Sequence, residues 1–391
     1  MARWFAKKPS GPSASSSDRE ARSKLRIGIP RVLNIWTTHR FWLGFFGALG
    51  IPAQRVIFSS DSSEEQFREF GRGRGTVDCC WPVKVASAHY GELMFGQRRK
   101  IDVLFSPMIY SMPSVLGGHV VDSLTCPRVM AGPEMVRAGF TREKDLFAEA
   151  GLKYVAPFLT MAEPALLAEQ LFKELADILP GLTLDETEAA VAEGFATLER
   201  FDAGLRARSR DVLHRCAKEN RPCILVLARP YHMDPGIGHE IENDLQNRGY
   251  PVLWAQHLPT DPDLMDWLFG QEVRAGLMKS PFDIADVWPS SYSANTNEII
   301  WGAKFAARMP WITCAIRMTS YECGMDQPTF TPVQNIVEHS RTLFFSFQEL
   351  DSTKPAGSVR IRVETIAHYL ERASAGIIER KRALLPADCP L

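Results

Sequence analysis

The chain has 391 residues, of which 45% are hydrophobic and 23% are charged, and its formal net charge is -1. Single hydrophobic cores stop growing at about 250–300 residues, so this length predicts two domains. The balanced charge excludes a general nucleic-acid binder, and no run of about 18 apolar residues predicts a membrane span.

Residues 1–23 combine basic residues with a Ser/Pro/Gly run and lack the apolar stretch of a secretory signal. We interpret this segment as a disordered tail and expect the protein to be cytoplasmic. From residue 24 to 163, short apolar runs alternate with amphipathic segments, which predicts a first α/β lobe with a mainly parallel sheet. The predicted strands are 25–30, 55–60, 101–107 and 153–159, and the predicted helices are 38–50 and 83–97.

Residues 164–220 have long helical periodicity and dense charge, which predicts a helical connector. A second α/β lobe is predicted from residue 221 to 350, and residues 351–391 form a C-terminal helix and tail. In the second lobe we predict strands at 222–230, 250–255, 311–317 and 342–347, and helices at 238–249, 263–279 and 297–308.

The eight cysteines are too sparse for a disulfide scaffold in a chain of this length. Three of them share a local context: Cys80 lies two residues before Pro82, Cys126 precedes Pro127, and Cys323 precedes Gly324. Each follows an apolar strand at a predicted turn, where free backbone N–H groups stabilise a thiolate. No C-x-x-C motif is present, which argues against a zinc ribbon or a ferredoxin-type run. Spacing alone fits either converging ligands or unrelated buried thiols.

Further polar side chains follow predicted strands. In "ARPYHMDPGIGHE", Arg229 is a candidate for binding an anionic group, and Tyr231 or His232 for relaying a proton. The same segment also fits a simple turn that His232 ties down. Asn297 in "SANTN" is a candidate site residue or a helix cap.

The first cysteine motif is followed by Lys84, which fits either a charge near a cofactor or a solvated lysine. The sequence allows two positions for His89: its side chain could face the cleft, or it could pack in the core. The run "GRGRG" at 71–75 lacks a phosphate-loop motif, and we interpret it as a flexible basic loop.

Several motifs occur in a characteristic order: "IGIPRVLNIW", "CCWPVKVASAHYGEL", "FSPMI", "TCPRVMAGPEMVR", "LARPYHMDPGIGHEIENDLQNRGYPVL", "SANTNEIIWGAK" and "ECGMD". Over roughly residues 25–350 they resemble the acyl-CoA dehydratase activase-related family, which carries the domain DUF2229. That family is similar to 2-hydroxyacyl-CoA dehydratase subunits and double-cubane cluster proteins.

The resemblance implies two Rossmann-like lobes and an iron–sulfur cluster with Cys80, Cys126 and Cys323 as ligands. Three thiolates would leave one iron of a [4Fe–4S] cluster without a protein ligand. A double-cubane cluster needs further ligands, for which Cys79 and Cys314 are the candidates.

The implied function is acceptance of low-potential electrons from an ATP-hydrolysing activator protein, for the reduction or reductive dehydration of a small molecule. A homo- or hetero-oligomer is compatible with this role. Two alternatives remain open. A noncatalytic scaffold or regulatory subunit fits the "ECGMD" sequence, which replaces the family's commoner Cys-Gly-Pro-Asp form. A zinc-binding protein would use the same thiols without redox chemistry.

Overall fold

The structure is a computed structural model that describes residues 15–75, 79–96, 100–351 and 355–391. The chain divides into two compact units, each with its own hydrophobic core. The first unit comprises Met1–Pro113 and Thr125–Phe201, and the second comprises Ser114–Leu124 and Asp202–Leu391. A short segment between two parts of the first unit therefore belongs to the second.

In the first unit, a four-stranded parallel sheet has the order β2-β1-β3-β5, and a two-stranded parallel sheet pairs β4 with β6. All residues of β1 and β3 are buried, as expected for central strands of a parallel sheet that is covered on both faces. The strands are β1 (Ile27–Ile29), β2 (Val56–Phe58), β3 (Val103–Phe105), β4 (Met108–Ser111), β5 (Lys153–Val155) and β6 (Phe158–Thr160).

The helices of the first unit surround these sheets. They are α1 (Ser16–Lys24), α2 (Ile35–Ala48), α3 (Glu64–Gln66), α4 (Trp81–Gly91), α5 (Pro127–Thr141), α6 (Leu146–Ala150), α7 (Pro164–Leu175) and α8 (Leu184–Glu219), with a 3-10 turn at Ala53–Arg55 and π-helical turns at Phe67–Gly71 and Glu92–Gly96. The aromatic residues of α2 supply much of the core, and the Trp42 ring lies 5.0 Å from that of Phe105 on β3. The division between the units falls within α8.

The predicted tail differs from the structure at its carboxyl end. Residues 1–14 lie outside the described residues, but Ser16–Lys24 form helix α1. The reason is tertiary: the Arg22 side chain is buried and donates to Pro180 O at 2.8 Å and to Glu186 Oε1 at 2.8 Å. A basic residue that looked solvated in the sequence therefore anchors a helix.

The second unit contains a four-stranded parallel sheet with the order β10-β9-β7-β8. Its strands are β7 (Cys223–Leu227), β8 (Val252–Trp254), β9 (Ile312–Ser320) and β10 (Leu343–Leu350). Its helices are α9 (Pro235–Gly238), α10 (Ile241–Asn247), α11 (Pro262–Arg274), α12 (Ala294–Arg308), α13 (Phe330–His339) and α14 (Ala356–Arg382), with 3-10 turns at Pro230–Met233, Ala255–His257 and Gln327–Thr329.

The prediction of an α/β fold with mainly parallel sheets and a C-terminal helix is confirmed. Helix α14 is attached to the second unit by the buried Lys381, whose Nζ donates to the carbonyl oxygens of Ala306 at 2.6 Å and of Ile312 at 2.6 Å. Burial lowers the pKa of this amine well below its usual value. Among the described residues, no helix combines the length and apolar character that a membrane crossing requires.

Candidate functional site

Cys80 directly precedes helix α4, and its carbonyl oxygen accepts the first hydrogen bonds of that helix. The N–H groups of Val83 and Lys84 donate to Cys80 O at 3.0 and 3.2 Å. Pro82 lies in the first helical turn, where its fixed φ and its missing N–H are compatible with a helix start. The predicted position of Cys80 at the start of a helix is confirmed. Both Cys79 and Cys80 are buried.

Cys126 has the same relation to helix α5. Pro127 is the first residue of α5, and the Met130 N–H donates to Cys126 O at 2.9 Å. The preceding residue, Thr125, is bound to strand β4, because its N–H donates to Tyr110 O at 2.9 Å. Helices α4 and α5 contact each other. The first unit therefore presents two buried cysteines at equivalent positions, each at the start of one of two neighbouring helices, where the helix dipole favours negative charge.

Cys323 lies in the second unit, in the turn that follows strand β9. Its N–H donates to Ser320 O at 3.3 Å, and the N–H groups of Asp326 and Gln327 donate to Cys323 O at 3.1 and 3.3 Å. Glu322 adopts a left-handed conformation with φ of 61°, which produces the sharp reversal after the strand. Cys323 is buried, whereas its neighbours Glu322 and Gly324 are exposed, so the turn directs the cysteine inward.

A buried ionic network fixes this turn. Asp326 Oδ1 accepts from Arg229 Nε at 3.0 Å and lies 3.0 Å from a terminal nitrogen of Arg317. Thr319 Oγ1 donates to Asp326 Oδ2 at 2.7 Å. The two arginine side chains are 0% exposed and the carboxylate is 1% exposed. Because Asp326 is also bonded through its backbone to Cys323, the network holds the cysteine turn in place.

The pKa of Asp326 reflects two opposing effects. Burial raises the pKa of a carboxyl group, but the positive charges of Arg229 and Arg317 and the hydrogen bond from Thr319 outweigh burial and hold the pKa below its usual value. Asp326 is therefore an anion at neutral pH. Sequence reasoning missed both Arg317 and Asp326. The available signal was a charged residue inside the apolar strand "WITCAIR", because an arginine is rarely buried without a partner.

His232 is a neutral, fully bonded side chain. Its Nδ1 lies 3.1 Å from Arg229 O, and its Nε2 lies 3.0 Å from Ser320 Oγ. A carbonyl oxygen can only accept, so Nδ1 carries the proton and Nε2 accepts from the Ser320 hydroxyl. Burial lowers the pKa of His232 to about 4. The Tyr231 ring is buried beside it, with ring centroids 5.2 Å apart.

Asn297 is buried in the second turn of α12, so it does not cap that helix. Ser293 is the cap residue. The Asn297 Nδ2 donates to Asp122 O at 3.2 Å, whereas its Oδ1 is buried and has no hydrogen-bond partner. The next residue, Glu298, is half-buried, and desolvation raises its pKa to about 7. The buried Oδ1 without a hydrogen-bond partner keeps Asn297 a candidate.

His89 belongs to the core of the first unit. Its Nδ1 lies 2.7 Å from Ser59 Oγ and its Nε2 lies 2.9 Å from Ser62 Oγ. Burial, with the nearby positive charge of Arg31, lowers its pKa to about 3, so the ring is neutral. Of the two interpretations of His89, core packing is the one that the structure shows. Lys84 is half-buried and borders a cavity that is described below.

The remaining cysteines of the second unit are parts of its core. Cys223 begins β7 and Cys314 lies in the adjacent strand β9. A hydrogen bond from the Cys223 thiol lowers the pKa of Cys216, whereas that bond and burial raise the pKa of Cys223 well above its usual value. Burial also raises the pKa of Cys314. Cys314 lies among apolar side chains of the second unit's core.

The described residues contain no group of three or more His, Cys, Asp or Glu side chains that could hold a metal ion. Two of the predicted ligands, Cys80 and Cys126, belong to the first unit, and Cys323 belongs to the second. Thiols at helix starts are the right donor type for an iron–sulfur cluster. The three cysteines therefore fit an iron–sulfur cluster by their donor chemistry and their local positions, and not as an assembled ligand group.

The family comparison adds an independent observation. A family model described as "CoA enzyme activase uncharacterised domain (DUF2229)" matches residues 26–258. The chain belongs to this family. The recognition made from the ordered motifs is thus confirmed, and the match includes Cys80, Cys126 and Arg229 but ends before Asn297 and Cys323. No curated protein matches the sequence.

Proposed function

We propose that this DUF2229 protein is an iron–sulfur protein in which Cys80, Cys126 and Cys323 are the thiolate ligands. The observation that carries the proposal is the equivalent placement of Cys80 and Cys126 before helices α4 and α5, which contact each other. Thiolates are the usual ligands of iron–sulfur clusters, and helix N-termini stabilise their negative charge. Cys323 is included because it is a buried residue of a hydrogen-bonded turn at the end of a buried strand.

A [4Fe–4S] cluster bound by three thiolates would supply single-electron reduction at low potential, with one iron open to a small molecule. The chain's own residues have a positioning role in this proposal. Arg229 and Arg317 hold Asp326, and Asp326 holds the backbone of the Cys323 turn. Arg229 is thus a positioning residue, and His232, which is neutral and bonded on both nitrogens, orients the segment beside it.

The proposal includes a separate ATP-hydrolysing activator as the electron donor. Two observations support this part: the name of the family refers to a CoA enzyme activase, and the sequence contains no phosphate-loop motif of its own. The reaction would be the reduction or reductive dehydration of a small molecule.

The proposal is tested by purifying the protein under strict exclusion of oxygen and measuring iron, acid-labile sulfide and the visible and electron paramagnetic resonance spectra. We expect a brown protein whose iron is lost in each of Cys80→Ser, Cys126→Ser and Cys323→Ser. Cys389→Ser is the matched control, because this half-buried thiol lies near the carboxyl terminus, outside the proposed ligand set. Circular dichroism establishes that each variant is folded.

A folded parent protein without iron overturns the proposal, and zinc without a redox signal replaces it with a structural zinc site. Full iron content in Cys323→Ser alone removes Cys323 from the ligand set.

A noncatalytic scaffold or regulatory subunit is the second candidate. It is favoured by the burial of Arg229 and His232, whose polar groups are bonded within the second unit rather than directed at a substrate. An iron-free protein that still binds the activator would support this second function.

A further inference from the structure

A cavity of about 370 Å³ lies in the first unit beside helix α4. Pockets for small molecules usually have volumes of about 300–1,000 Å³, so this one suits a small ligand. One wall is formed by α4, through residues such as Val83 and Lys84, and a second by Met135 and Val136 of α5. The third wall is the glycine-rich run 71–75 with Phe67.

The charged side chains among the described lining residues of the cavity have one sign. Arg74 and Lys84 are both half-buried at its lining, and the described lining residues include no aspartate or glutamate. The Arg74 guanidinium lies over the Phe140 ring, 5.3 Å from its centroid. This contact restrains a side chain that would otherwise move freely in solvent. Two cations with no carboxylate among the described lining residues favour a bound anion.

The glycine run is packed closely against α4. A Cβ atom at Gly71 would lie 2.9 Å from the Ala88 backbone nitrogen and 2.8 Å from Ser87 Oγ, so only glycine fits there. Gly73 has a φ of 77°, in the left-handed region that favours glycine. Close packing therefore explains Gly71, and backbone conformation explains Gly73.

Much of the remaining described lining is apolar. Phe67, Val83, Met135 and Val136 provide carbon surface, and Cys79 and Ser87 add a thiol and a hydroxyl group. A bare inorganic ion would leave this surface without a partner, whereas a short carbon chain would remove it from water.

We propose that this cavity binds a small organic anion, with its carboxylate between Arg74 and Lys84 and its short carbon chain against the apolar wall. The site goes beyond the proposed cluster and does not depend on it. Cys79 belongs to the described lining, whereas the three proposed ligands Cys80, Cys126 and Cys323 do not.

The test uses butyrate as the probe, with binding to the anaerobically purified full-length protein measured by calorimetry and by ligand-observed NMR. Arg74→Gln and Lys84→Gln are each expected to weaken butyrate binding about tenfold, because each removes a charge-assisted hydrogen bond. Arg72→Gln is the matched control: this arginine lies in the same run but is exposed and is not part of the lining. Butyramide, which has the same size and no charge, should bind at least tenfold more weakly than butyrate.

Three results overturn the proposal: no detectable butyrate binding, equal binding of butyramide, or equal weakening by Arg72→Gln. Inorganic phosphate that binds as tightly as butyrate overturns the role of the apolar wall. Measuring the iron content of the same preparations tests the cavity proposal separately from the cluster proposal, because butyrate binding should persist whether or not iron is present.

Discussion

Replacing Asp326 with asparagine is expected to destabilise the second unit by about 3–5 kcal/mol. The substitution keeps the size of the side chain and leaves one oxygen to accept from Arg229 or Thr319. It removes the negative charge between two guanidinium groups that are both 0% exposed. Together, these three side chains carry one net positive charge in the native protein and two in the variant.

The expected loss of stability depends on the burial of the ion pairs of Asp326 and not on the distance between their charged atoms. The surface pair Asp266–Arg274 is shorter, at 2.7 Å, than the 3.0 Å contacts of Asp326, but its side chains are 67% and 60% exposed. Exposed pairs are screened by water and contribute about 0–1 kcal/mol. Asp266→Asn is therefore the matched control, with the same chemical change at a solvated site, and should have little effect.

Urea unfolding at pH 7, followed by circular dichroism, measures both variants, and hydrogen exchange in β7 and β9 locates the loss. Adding Arg317→Met to Asp326→Asn should recover part of the lost stability, because the buried charge of the three positions returns to its native value. If Asp326→Asn costs no more than Asp266→Asn, the carboxylate is not the counter-ion of the two arginines and our account of the Cys323 turn is refuted.

Three further outcomes follow from the structure. Gly238→Ala should destabilise the protein by several kcal/mol, because the new Cβ would lie 1.9 Å from His232 O. Gly357→Ala in α14 has open space around it and should be neutral or slightly stabilising. Thermal unfolding of the two variants compares these effects. Burial lowers the pKa of His232 to about 4 and that of His89 to about 3. Their contribution to the free energy of unfolding is therefore complete above the unfolded-state pKa of about 6.5 and declines as the pH falls towards 4. The decline is up to about 1.4 kcal/mol per pH unit for each ring. His232→Gln should reduce that slope of stability against pH; an unchanged slope would show that His232 is already charged or solvated in the folded protein. Because the pKa of Asp326 is lowered in the folded protein, its carboxyl should add a loss of stability only below about pH 4. Asp326→Asn should remove this acid-dependent loss.

Local sequence rules accounted for most of the secondary structure. Strands β1, β3 and β7 are short apolar runs that are buried at every residue, and this property is visible in the sequence. The start of α4 was marked by Pro82, because proline acts on the conformation of its own turn, whereas helix α5 after Pro127 was not predicted. Strand β4 was missed because its four residues alternate in burial and follow β3 almost directly, so the sequence offered one run for two strands.

Predicting the site was harder, because its chemistry depends on distant partners. The sequence indicated that Arg229 and His232 follow a strand, and it suggested a substrate for the arginine. The structure pairs Arg229 with Asp326, which lies 97 residues later in the chain, and it places Ser320 Oγ 3.0 Å from Nε2 of His232. Desolvation and charge pairing are set by these distant neighbours, so no local pattern reports them.

The amino-acid sequence alone determined the alternation of strands and helices, the helix start beside Cys80, and membership in the family, because each of these depends on residues that are close in the chain or on motif order. Only the tertiary structure decided which polar side chains are buried and paired, and that Arg74 and Lys84 border one cavity. Burial and pairing depend on how distant segments pack, and packing is a property of the folded chain as a whole.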